Sequence, residues 1–124
     1  MALKISFPDK TDGICTDAYV VADLTLDNKT KKGRLELAVW KEEGYRRGAK
    51  QKINNVPLPI GDNESWFKKP ELVEGEEDQW IGYVTQLAWD DFAWKTGKEV
   101  YTKIKTLKVL VDGSIVDLSD AVDV

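Results

Sequence analysis

Histidine is absent from the 124-residue chain, and cysteine occurs once, as Cys15. The first absence removes Ser-His-Asp and Cys-His nucleophilic sites, and every zinc site that needs imidazole. It also removes the commonest general base near neutral pH. One cysteine allows neither an intramolecular disulfide nor a thiolate cluster. No apolar run approaches the roughly 20 residues that span a bilayer, so membrane insertion is not expected. The opening Met1-Ala2-Leu3-Lys4-Ile5 carries no long apolar stretch behind a basic segment and is not expected to act as a secretory signal. With these groups missing, the chain reads as non-enzymatic, and no cofactor is expected.

A net excess of cations is also lacking: 22 acidic residues face 18 basic ones, for a net charge of −4. Phosphate binding needs cations in excess on some face, so nucleic acid is not expected as a partner, although a nucleic-acid-associated accessory protein remains an alternative. The chain length suits one domain, residues 1–124, with one core. A composition of 42% apolar and 32% charged residues is that of a folded chain, not a disordered one.

The strongest pattern is alternation. Val20, Ala22, Leu24 and Leu26 fall on one face of a strand within residues 14–26, and Val21, Asp23 and Thr25 on the other. Residues 34–40 alternate again, with Leu35, Leu37 and Val39 inward and Arg34 and Glu36 outward. The polar run 27–33, ending in Gly33, reads as the loop of an antiparallel hairpin. Residues 3–7 form a short apolar run before Pro8, followed by turn chemistry at 9–13. The pattern weakens over residues 41–65, expected as an extended arm or long loop. Within it Val56-Pro57-Leu58-Pro59-Ile60 is extended, as an edge strand or an arm, because each proline lacks a donor and disfavours helix before it. Residues 79–94 are expected to start strand-like and turn helical over about 85–95. Residues 98–107 place Val100, Tyr101, Ile104 and Leu107 at amphipathic helical spacing. Asp112-Gly113 between apolar runs signals a hairpin. The expected fold is α+β: a single antiparallel strand-rich domain, a sandwich or small barrel, with one or two short helices in the C-terminal half.

Five Trp exceed ordinary usage. Large aromatics concentrate in cores and at interfaces, and they stack on sugar rings. Trp80 to Trp94 read mostly as core. Trp66, beside Phe67 and the basic Lys68-Lys69, reads as exposed or at a subunit contact, and Trp40 lies on the polar face of its strand. The cationic cluster Arg46, Arg47, Lys50 and Lys52 complements the acidic run 71–78, which fits a contact between neighbouring subunits. The interface candidates are therefore Trp40, Tyr45, Arg46, Arg47, Trp66 and Phe67. Asp90-Asp91 and the pair Asp112 and Asp117 lack the spacing of a metal or hydrolytic site and read as solvated surface.

The opening Met-Ala-Leu-Lys, then Gly13-Ile14 before Asp17-Ala18-Tyr19-Val20-Val21, a Lys-containing loop and a second alternating strand, resembles small structural proteins encoded among the tail genes of tailed bacteriophages. Val100-Tyr101-Thr102-Lys103-Ile104-Lys105-Thr106-Leu107 is similar to a helix near the end of such proteins. Residues 1–40 and 98–108 carry the resemblance, and the Trp-rich middle, Trp66 to Trp94, departs from it and reads as an insertion. The resemblance implies a virion structural or assembly component of a tail, neck or capsid, located in the virion and assembled in the host cytoplasm. Its implied partners are further copies of itself and other virion proteins. A carbohydrate-binding β-domain that uses exposed Trp is the alternative.

Overall fold

The computed structural model describes residues 2–9, 13–41, 52–61, 63–68 and 82–124. In chain order these form strands β1 (Leu3–Asp9), β2 (Gly13–Asp27), β3 (Lys32–Trp40), β4 (Lys52–Ile60), β5 (Trp66–Lys68) and β6 (Tyr83–Gln86). Helices α1 (Trp89–Phe92) and α2 (Lys98–Ile104), strands β7 (Lys108–Val111) and β8 (Ser114–Asp117), a 3-10 turn at Leu118–Asp120 and β9 (Val122–Asp123) complete them.

Period-two patterning explains the larger sheet, which is antiparallel with strand order β4-β3-β2-β1-β9. Val20 stands opposite Leu3 and Val39, Leu37 opposite Ala22 and Val56, and Leu35 opposite Leu24 and Leu58. One apolar face therefore runs unbroken across four strands. A register shift after Ile5 sets two steps of β1 against three of β2, and Phe7 stays buried. Among the described residues the sheet is open, with β4 and β9 at its edges, and is not closed into a barrel.

The C-terminal half covers that face. Val84, Leu87, Trp89, Phe92, Val100, Tyr101, Ile104, Leu107, Val109, Val116 and Leu118 join the sheet residues in one core. Full burial of a side chain such as Phe92, Ile104 or Leu118 stabilises by roughly 1.5–3 kcal/mol. The helix expected over 85–95 is much shorter: the strand continues to Gln86, and only Trp89–Phe92 is helical. Leu87 explains the difference. It bonds across to β4, its amide donating to the Pro59 carbonyl (2.9 Å) and its carbonyl accepting from the Gly61 amide (3.1 Å), and so holds the chain extended.

Of the segment 41–65, the part Lys52–Ile60 is the edge strand β4. The Pro59 carbonyl points away from β3, so by alternation the backbone of Pro57 faces the same outer side. Both missing donors thus fall on the sheet edge, where no ladder bond to β3 is lost. The first hairpin turns at residues 28–31, earlier than the glycine suggests. Lys31 takes the left-handed conformation (φ 54°), while Gly33 is already in β3. The 112–113 turn has φ of 50° at Asp112 and 82° at Gly113, the double left-handed geometry of a tight two-residue hairpin.

Two further contacts fix the frame. The Ala22 amide in β2 donates to the Tyr101 hydroxyl of α2 at 3.0 Å. Ala2 and Val124 exchange backbone bonds, Ala2 N–H to the Val124 carbonyl at 3.3 Å and Val124 N–H to the Ala2 carbonyl at 3.0 Å.

Candidate interaction surface

Trp66 and Phe67 are adjacent in sequence, and strand alternation would bury one of them. Here neither face of β5 is covered; its pairing also slips, with Trp66 opposite Gln86 and Phe67 opposite Val84, so that β6 carries an extra residue between them. Both side chains stay in solvent, Trp66 59% and Phe67 65% exposed, and every residue of β5 is exposed. Among the described residues β5 pairs only with β6, so its other side is an edge.

Ser65 anchors this exposed strand to the body. Its hydroxyl accepts from the Ala88 amide at 3.1 Å and donates to the Asp91 carboxylate at 3.0 Å. Ala88 is the cap residue of α1 and offers no side-chain oxygen; its own amide, one of the orphan donors at the helix start, is met by Ser65 from another segment. Asp91 in turn meets the Lys103 ammonium of α2 at 3.4 Å. Hydroxyl, carboxylate and ammonium converge here, and each bond ties one element to another: β5 to α1, and α1 to α2.

Of the other candidates, Trp40 is half-buried at the end of β3, opposite Tyr19, and lies on the five-stranded sheet instead of beside Trp66. Tyr45, Arg46 and Arg47 lie outside the described residues, as do Trp80 and the acidic run 71–78. The core reading of the aromatic block holds for Tyr83, Trp89 and Phe92, all buried, and fails for Trp94, which is 85% exposed. Helical spacing carries the signal. Trp89 and Phe92, three apart, share the inward face, and five residues past Trp89 the direction has turned by about 140°. The sequence reading did not use that spacing.

The acidic pairs separate. Asp90 is exposed while Asp91 joins the Ser65 contact, and Asp112 accepts from the Asn54 side-chain amide at 3.0 Å. Asp117 caps the 3-10 turn through the Ser119 amide at 3.0 Å. Hydrogen bonds from the Ser119 hydroxyl and amide hold the Asp117 carboxyl below its ordinary value, aided by the nearby Lys108 charge and opposed by slight burial. No cluster of three or more Cys, Asp or Glu able to hold a metal occurs among the described residues. No helix among them is long and apolar enough to cross a membrane. No protein family, curated protein or solved structure matches the chain.

Proposed function

We propose that the protein is a non-enzymatic structural or assembly component of a bacteriophage particle, acting through contacts with copies of itself and with other virion proteins. One observation carries the reading: Trp66 and Phe67, adjacent on an edge strand that Ser65 ties to the core, are both exposed to solvent. Large aromatics held on a rigid support bury much area at little entropic cost, which is what an assembly contact needs. The resemblance at residues 1–40 and 98–108 supplies the virion setting.

Native mass spectrometry and light scattering across a concentration series test it. The parent chain is expected to self-associate or to bind virion proteins, and Trp66→Ala to weaken that association while leaving the melting temperature within a few degrees. A parent chain that stays monomeric and binds no virion protein overturns the reading. A fluorescence shift of the exposed tryptophans on titration with glycans would favour a sugar-binding surface instead.

A further inference from the structure

We infer that the outer edge of β2 receives the acidic stretch 71–78 of a second copy. The inference rests on the self-association reading above and gives that association a direction.

The backbone comes first. In β2 the residues Ala18 and Val20 face β1, and Ala22, Leu24 and Leu26 continue the same row. The ladder with β1 ends at Leu3, opposite Val20, so from Ala22 onward this row has lost its neighbour. The Tyr101 hydroxyl takes the Ala22 amide. The outward amides and carbonyls of Leu24 and Leu26 have no hydrogen-bond partner among the described residues. Polar backbone groups repeating every second residue, beside half-buried apolar side chains, are the recognition surface for an added strand. A groove of about 400 Å³ runs along them, lined by Ala22, Leu24, Leu26, Gly97, Val100 and Tyr101 among others.

Charge selects the occupant. Lys95 lies in the groove wall and Lys98 begins α2 beside it, while Lys29, Lys31 and Lys32 stand at the hairpin tip that ends the edge; Asp27 at the tip and Glu99 beside Lys98 leave the surroundings net positive. None of these five lysines is ion-paired among the described residues, whereas Lys4, Lys103 and Lys105 are. Antiparallel pairing of this edge with its own copy would bring the tip lysines of one chain against Lys95 and Lys98 of the other, and like charges oppose it. An acidic strand is required, and the densest acidic run in the chain is 71–78, with Glu71, Glu74, Glu76, Glu77 and Asp78 around Leu72 and Val73. It begins three residues after Lys68, so the strand that presents Trp66 and Phe67 also leads into it. Such a contact joins different surfaces of the two copies, and repetition gives a ring or a filament. A nucleic-acid backbone could use the lysines, but its phosphates only accept hydrogen bonds and would leave the carbonyls of Leu24 and Leu26 unmet.

Complementary charge reversals test this. One variant carries Lys29→Glu, Lys31→Glu and Lys95→Glu; the other carries Glu71→Lys, Glu74→Lys and Glu77→Lys. Thermal melts establish that both fold. Each is expected to be monomeric alone by native mass spectrometry, and an equimolar mixture to assemble with the two variants alternating, because each variant's edge then meets an oppositely charged stretch on the other. Parent self-association is expected to weaken about tenfold between low and high salt. Variants that self-associate like the parent, or a mixture that stays monomeric, overturn the inference. If assembly survives both reversals and is lost in Trp66→Ala, the inference fails and the aromatic reading stands. A parent chain that is monomeric yet binds a mixed-sequence single-stranded oligonucleotide through these lysines would reassign the edge to phosphate.

Discussion

Gly33 shows how one hydrogen atom can set a strand crossing. A Cβ built there would lie 2.3 Å from the Thr25 carbonyl oxygen and 2.9 Å from Leu26 Cδ2, so β2 and β3 would have to part locally. Gly33→Ala is expected to lower stability by about 1–3 kcal/mol in urea melts, as overpacking does elsewhere. Gly61→Ala is the control, since its nearest neighbours are 3.7 Å away, at ordinary contact distance. Asp117 acts through charge. Folding lowers its carboxyl pKa, so its contribution is fully present above the unfolded value near 4 and is lost as pH falls through the lowered folded value. Asp117→Ala should cost about 1 kcal/mol at neutral pH, as loss of a cap does, and the difference from the parent should shrink in melts below about pH 4.

At the scale of elements, the Ser65 contact ties the β5 side of the β5–β6 pair to the helices, while β6 is held by the core itself. Ser65→Ala removes both bonds and leaves the Ala88 amide without its oxygen. It is expected to cost about 1 kcal/mol and to speed amide exchange in β5 well before β2 and β3. The better-patterned elements were legible in the sequence. The alternation of 20–26 and 34–40 fixes the central hairpin and its inward face, and the left-handed tolerance of Asp112-Gly113 fixes the last turn. The spacing of Val100, Tyr101, Ile104 and Leu107 predicts the buried side of α2, and the structure buries all four. The span of α1 was not legible, because the strand it interrupts is held by Leu87 bonds to residues nearly thirty positions earlier. Nor was Lys31 as the left-handed residue, since nothing in a lysine side chain announces that conformation. At the candidate surface, exposure of Trp66 and Phe67 followed from their polar neighbours, but the slip in their pairing depends on Gln86 and Val84 across the strand and was not legible.

For the whole molecule, the tryptophans divide by role. Trp89, 5% exposed, closes the core beneath the sheet, whereas Trp66 and Trp94 stand outside it. Trp89→Ala is expected to cost about 3–5 kcal/mol and to lower the melting temperature steeply, measured by calorimetry, where Trp66→Ala leaves it nearly unchanged. The edges of the large sheet divide as well. β4 turns its prolines outward and bonds to Leu87 near its end, β9 covers the first residues of β1, and the second half of β2 keeps its outward row. Within the five-stranded sheet, among the described residues, the outward row left without a ladder partner is that of the second half of β2.

The reciprocal bonds between Ala2 and Val124 carry a mechanical consequence. β1 leaves from Ala2 and β9 arrives at Val124 side by side and antiparallel, so a load pulling those two residues apart meets the bonds one at a time. The sheet opens like a zip under such a load, where shear along the strands would strain many bonds together. Tension applied between Ala2 and Val124 is therefore resisted by only a few bonds at any moment.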